Sequence, residues 1–136
     1  MIQYREDFPA NDFLSLVGRV WPGTYDQQRV VEALARTFNI GAWSGLTLVG
    51  SVRVLTDGYL FATVPEILVD PAYQRQGIGR RLMEMAAKRA PRNALFFGAQ
   101  PQSVAFFERI GCVRGPAGSV MRSPRVQSVT LQSPSA

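Results

Sequence analysis

The spacing of apolar residues changes several times along the chain, and each change marks an element. Ile2 to Arg5 reads as a short strand. Phe13, Leu14, Leu16 and Val17 then recur at helical spacing, with Asn11 or Asp12 placed to cap the helix. Trp21-Pro22-Gly23 breaks that pattern. Asp26 is placed to cap a second helix, with Val30, Val31, Leu34 and Phe38 on one face. Residues 39–44 and 46–55 read as strands turning at Ser44-Gly45, and Asp57-Gly58 signals a further hairpin. The strand from Tyr59 to Val69 contains Pro65, which has no N–H for a ladder, so a bulge or a break in pairing is expected there.

A third helix is predicted from about Gly77 to Ala90, with Ile78, Leu82, Met85 and Ala86 toward the core and Pro91 ending it. Ala94 to Gly98 reads as a short buried strand. Pro101 suits the start of a fourth helix carrying Val104, Phe106, Phe107 and Ile110, and Gly111 suits its C-terminal cap. Val113 to Met121 suggests a last hairpin through Pro116-Ala117-Gly118. The order predicts an α+β fold, a mixed sheet with helices on both faces. One domain is expected over residues 1–122. Residues 123–136, rich in Ser, Pro and Gln, read as a tail that is flexible or adds a short strand.

Composition narrows the chemistry. The 136 residues and 46% hydrophobic content suit a single core. No apolar run approaches a membrane span, and MIQYRED lacks a signal-peptide pattern, so no membrane association and a cytoplasmic location are expected. The chain has no histidine and one cysteine, Cys112, which argues against a metal site and excludes an intrachain disulfide. The net charge of +5 is unevenly spread. Residues 1–70 hold five arginines against eight acids, and residues 71–136 hold ten basic residues against two acids. A basic half can serve nucleic acid, but no basic-aromatic stripe or nucleic-acid motif accompanies it. Ordinary solvated charge accounts for most of these residues.

The stretch from Ile67 to Arg80, ILVDPAYQRQGIGR, carries the most chemistry. An apolar strand (Ile67, Leu68, Val69) ends at Asp70-Pro71, and Gly77-Ile78-Gly79 opens the third helix. A strand feeding a glycine-bearing helix N-terminus leaves backbone N–H groups unpaired at the positive end of the helix dipole, a natural anion seat. Gly77 and Gly79 allow a diphosphate to approach, and Arg75, Arg80 and Arg81 add positive charge. No G-K-[ST] follows, so this is not a Walker loop, and it is not the dinucleotide G-x-G-x-x-G.

Gln74-Arg75-Gln76-Gly77-Ile78-Gly79 resembles the Q/R-x-x-G-x-G/A signature of the GNAT superfamily of acyl-CoA-dependent N-acyltransferases. A second stretch, QPQSVAFFERIGC at 100–112, resembles that family's N-x-x-S/A-x-x-F-Y-x-x-x-G-F. Ser103, Phe106 and Gly111 match; Gln100 stands where Asn is common, Cys112 replaces Phe, and Phe107 replaces the Tyr that often protonates the departing thiolate. The element order is also that of the GNAT fold.

The resemblance implies a single-domain N-acetyltransferase (EC 2.3.1.-) moving an acetyl group from acetyl-CoA to a primary amine within a ternary complex. The cosubstrate is acetyl-CoA, with no metal. Its pantetheine arm would lie along Ile67, Leu68 and Val69, with a parallel strand beginning near Ala94 on its other side. Its diphosphate would lie on Arg75, Gln76, Gly77, Ile78, Gly79 and Arg80, and Gln100, Ser103 and Phe106 would complete the cofactor site. Glu66 resembles the acidic position that deprotonates the acceptor, with a solvated or ion-paired sheet residue as the equal alternative. A main-chain N–H near Leu68 or Val69 would polarise the thioester carbonyl. Water, Tyr25, Tyr59 or Tyr73 would replace the missing Tyr hydroxyl. The acceptor would be a small-molecule or protein amine, not nucleic acid, shaped by loops 18–27 and 55–64, and a homodimer is an open expectation. A catalytically weak or inactive acyl-CoA-binding module, serving as sensor or partner subunit, is the competing reading.

Overall fold

The computed structural model describes residues 1–90, 95–98, 103–114 and 120–122. Strand β1 (Ile2–Glu6) leads to helices α1 (Ala10–Val20) and α2 (Gln27–Leu34), then to strands β2 (Phe38–Ser44), β3 (Thr47–Thr56), β4 (Ala62–Thr63) and β5 (Ile67–Val69). A 3-10 turn (Pro71–Tyr73), helix α3 (Ile78–Arg89), strand β6 (Phe96–Gly98), helix α4 (Val104–Arg109) and strands β7 (Val113–Arg114) and β8 (Val120–Arg122) complete it. Along the sheet the order is β1-β2-β3-β4-β6-β8-β7, with β5 paired to β3. All pairs are antiparallel except β4 with β6. This is the expected α+β fold, with helices on both faces of a mixed sheet.

Alternation along the strands divides the core in two. Val52, Val54, Ile78, Leu82, Met83 and Ala86 lie in the larger cluster, beneath α3. Leu16, Val17, Leu34, Trp43, Leu48 and Leu68 lie in the smaller one, beneath α1 and α2. Trp43 pairs with Leu48 but Ala42 pairs with Gly50, so Val49 is an extra residue in β3. That bulge lets both Leu48 and Val49 be buried, in different clusters.

The strand expected over 59–69 is broken at Pro65. Its first part, β4, pairs with β3 and, in parallel, with β6 at Thr63 and Phe96. Its second part, β5, pairs with β3 at Val52–Ile67, Ser51–Leu68 and Gly50–Val69. The turn before β4 is built by Asp57, whose Oδ1 accepts from the N–H groups of Tyr59, Leu60 and Phe61 at 2.9, 2.8 and 3.2 Å. Those bonds hold its carboxyl below the usual carboxylate range.

Several local expectations are corrected. The cap position of α1 is Pro9, not Asn11 or Asp12, because the helix begins one turn earlier than its apolar stripe. Asp26 does cap α2, accepting from Arg29 N–H at 3.0 Å. Phe38 belongs to β2 and is exposed, since α2 ends at Leu34. On α3, Met83 and Ala87 are buried while Met85 is only partly so. Residues 91–94, Gln100, Pro101, the turn at 116–118 and the expected tail 123–136 lie outside the described residues.

Candidate active site

Three backbone donors open the site. Helix α3 begins at Ile78, its cap position is Gly77, and no side chain caps it. The N–H groups of Ile78, Gly79 and Arg80 therefore have no intrahelical acceptor and point outward with the helix dipole behind them. Gly77 has φ +83°, and a Cβ there would meet nothing within 4 Å. A larger residue would thus be disfavoured by backbone conformation while adding atoms to open space over the helix end. Gly79 has a different role. A Cβ on it would come within 3.0 Å of Phe106 Cζ, so its small size seats the α4 ring and not a ligand.

The loop before the helix is held in place by its own side chains. Asp70 Oδ1 accepts from Ala72 N–H at 2.9 Å, capping the 3-10 turn. Tyr73 Oη lies 3.4 Å from Ser44 Oγ, and Gln74 Nε2 donates to the Val69 carbonyl at 3.3 Å. Arg75 adopts φ +66°, turning the chain toward Gly77. Arg75, Gln76 and Arg80 are exposed. Arg81, expected to serve the loop, instead lies 3.7 Å from Glu84 and near the Tyr4 ring.

Strand β5 supplies the second set of donors. The N–H of Asp70 bonds the Val49 carbonyl at 2.8 Å, and the N–H of Arg53 bonds the Glu66 carbonyl at 3.4 Å. In an antiparallel ladder bonding alternates, so residues 66, 68 and 70 turn their peptide groups to β3. Ile67 and Val69 therefore present theirs outward, along an edge that β6 does not cover at this level. Of the two amides expected to polarise a carbonyl, Val69 is free for it and Leu68 is not. The Leu68 side chain is also turned away, 1% exposed in the cluster beneath α1.

These donors open on one cavity of about 710 Å³. It is lined by Val20 and Trp21 at the end of α1, by Ile67 and Val69 of β5, and by the loop and helix start at Tyr73 to Arg75 and Gly77 to Arg80. Ser103, Phe106, Phe107, Arg109 and Ile110, on and beside α4, complete the lining. A cavity that sets apolar Ile67, Val69 and Phe106 beside an open helix N-terminus and Arg75, Arg80 and Arg109 suits a long ligand that carries a diphosphate. Sequence reasoning missed Val20, Trp21, Arg109 and Ile110. Ile110 was legible from its spacing of four from Phe106.

Glu66 sits on the opposite face of β5 and does not line the cavity. Arg53 Nε donates to its Oε2, and Arg53 Nη2 donates to its Oε1 at 2.7 Å. The two side chains are only 17% and 10% exposed, beside α1. Phe107 is buried against Phe97 and Phe106, with centroid separations of 4.6 and 5.1 Å. Of the three tyrosines considered as proton donors, only Tyr73 reaches the cavity. Tyr25 Oη donates to the Trp21 carbonyl at 2.9 Å, and Tyr59 is 76% exposed on the β3–β4 turn. Cys112 is buried, and desolvation pushes its thiol up to about 11, which makes it a poor nucleophile. Among the described residues no cluster of His, Cys, Asp and Glu could hold a metal ion, and no helix is long and apolar enough to cross a membrane.

The model of the acetyltransferase (GNAT) domain matches residues 9–119. The chain belongs to the GNAT acetyltransferase family. The GNAT fold is also that of the ribosomal-protein-S18-alanine N-acetyltransferase of Escherichia coli. That structure superposes with a TM-score of 0.70 at 17% identity, covering 96% of this chain and 100% of the other. The E. coli GNAT N-acetyltransferase YhbS, solved in complex with CoA, gives a TM-score of 0.68 at 17% identity, covering 90% and 80%. In sequence, histone acetyltransferase TAP1 of Glycine max is 36% identical over 75 residues, which is 52% of this chain and 32% of that protein. The chain thus aligns with less than half the length of the curated relatives it matches.

Proposed function

We propose that this GNAT protein transfers an acetyl group from acetyl-CoA to a primary amine by direct attack in a ternary complex. One observation carries the reading: the uncapped N-terminus of α3 and the outward peptide groups of Ile67 and Val69 line the same trough. The diphosphate binds the N–H groups at Ile78 to Arg80, with Arg75, Arg80 and Arg109 as counter-charges. Gln76 is exposed and lies outside the cavity lining, while Ser103 and Phe106, which line it, face the ligand from the start of α4. Pantetheine lies along β5 as an added strand, and the Val69 N–H faces the thioester carbonyl.

The amine nitrogen attacks the thioester carbon, the C–S bond breaks, and CoA leaves as thiolate. A thiol pKa of about 8.5 makes that departure feasible without a strong acid. The proton lost by the acceptor goes to water in the trough or, relayed by water, to Glu66, whose carboxylate lies outside the cavity and is held by Arg53. A small-molecule amine and a protein amine both remain acceptor classes, and the soybean relative's name supports the second. Nucleic acid is not part of this reading. A cytoplasmic location is a further expectation of it, and whether the chain forms a homodimer is open.

Thermal unfolding with acetyl-CoA tests the cofactor. At a 100-fold excess over Kd the stabilisation should be about 2.7 kcal/mol. No shift at millimolar acetyl-CoA overturns the proposal. The occupied carboxylate of Glu66 and the missing hydroxyl at Phe107 favour a second reading, an acyl-CoA-binding module without turnover. Thiol release from acetyl-CoA with a panel of amines separates the two.

A further inference from the structure

We infer that Arg19 is a positioning residue that sets the width of the trough, an inference resting on the acyl-CoA reading above. Arg19 lies in the last turn of α1, one residue before Val20 and Trp21 enter the trough wall. Its Nε donates to Asp70 Oδ2 at 2.7 Å, and its Nη2 donates to the Leu48 carbonyl at 2.6 Å. Asp70 is 8% exposed, and its other oxygen caps the 3-10 turn that begins the loop. One guanidinium therefore ties three pieces together: the end of α1, the start of β3 and the first residue of the loop.

The consequence is geometric. Trp21 lines the trough, and so do Tyr73, Gln74 and Arg75. Along the chain these segments are far apart, and among the described residues α1 otherwise meets the sheet through core packing and the Phe13 ring beside Arg53. The two directed bonds from Arg19 fix the end of α1 against Asp70 and Leu48. A planar fork satisfies both acceptors at once, while a lysine ammonium of the same charge lacks that shape. Arg19 touches no substrate in this arrangement. It acts through Asp70 on the loop and through the α1 backbone on Val20 and Trp21.

The test uses three variants of the full chain: Arg19→Met, Arg19→Lys and Asp70→Ser. The serine keeps a hydroxyl to cap the turn while removing the partner of Arg19. Two measurements are made, hydrogen exchange without ligand and acetyl-CoA affinity by calorimetry. Arg19→Met and Asp70→Ser should each speed exchange across residues 70–77 by about tenfold while β1 and β2 keep wild-type protection. Each should also weaken acetyl-CoA by about tenfold, with Arg19→Lys falling between them and wild type. Unchanged loop exchange overturns the inference, and so does a uniform rise throughout the sheet, which would mark a general stability role. Faster loop exchange with unchanged affinity also overturns it, because the trough would then not depend on the clasp. If the wild type binds no acetyl-CoA, the acyl-CoA reading fails and takes this role with it, whatever the exchange shows.

Discussion

Gly77 and Glu66 flank the same strand-loop-helix unit, yet their surroundings are built in opposite ways. Around Gly77 the useful groups belong to the backbone: uncapped helix N–H groups, a positive φ, and empty space where a side chain would be. Around Glu66 everything depends on side chains brought from elsewhere. Arg53 comes from β3, and Phe13 of α1 lies near its guanidinium. A backbone site tolerates change in its neighbours because local chain geometry creates it. A side-chain site is redefined by each neighbour, and a carboxylate holding two guanidinium bonds is a different reagent from a solvated one. The difference teaches that binding and turnover in this protein should separate cleanly under mutation.

Gly77→Asp should give the largest effect. The aspartate adds a negative charge over the helix N-terminus at a left-handed position, so acetyl-CoA affinity should fall by about 100-fold or more. The open space around the position should leave the fold intact. Calorimetry and circular dichroism check both halves. Retained affinity would remove the contrast by taking the diphosphate away from this loop.

Glu66→Gln should act on the other side of the comparison. Loss of a general base lowers turnover by about 100-fold at neutral pH, with acetyl-CoA affinity near wild type. It also leaves Arg53 half-buried without its counter-charge, so the melting temperature should fall as well. An unchanged pH–rate profile accompanied by that drop would make Glu66 purely structural. The reaction would then use water as its base.

Phe107→Tyr should have the smallest effect, a change in turnover of about twofold or less. The new hydroxyl enters a site where Phe107 is 5% exposed and needs either a ligand or water as partner. Thiol release measured beside wild type decides it. A large gain would show that the missing hydroxyl, and not the engaged carboxylate, limits the chemistry.

The strand-loop-helix unit, the Pro65 break, the Asp26 cap and part of the core stripe of α3 (Ile78, Leu82 and Ala86, but not Met83 or Ala87) were legible in the sequence, because each depends on residues close together along the chain. Proline lacks a donor wherever it stands, and Gly77 followed by an apolar helix stripe makes an open helix end regardless of its surroundings. The resemblance to the GNAT family, and not locality, put Ile67, Leu68 and Val69 together along the cofactor, and Ile67 and Val69 line the cavity while Leu68 does not. Tertiary structure decided the rest. Whether Leu68 or Val69 offers its amide depended on which of them bonds β3, a matter of register. Whether Glu66 was solvated or paired depended on Arg53 across the ladder, and what Gly79 made room for depended on where α4 laid Phe106. Arg19 gave no sign in the sequence, since its partners Leu48 and Asp70 meet it only after α1 packs on the sheet. Backbone geometry is written locally, whereas the charge, partners and facing of a side chain come from segments that the folded chain alone brings together.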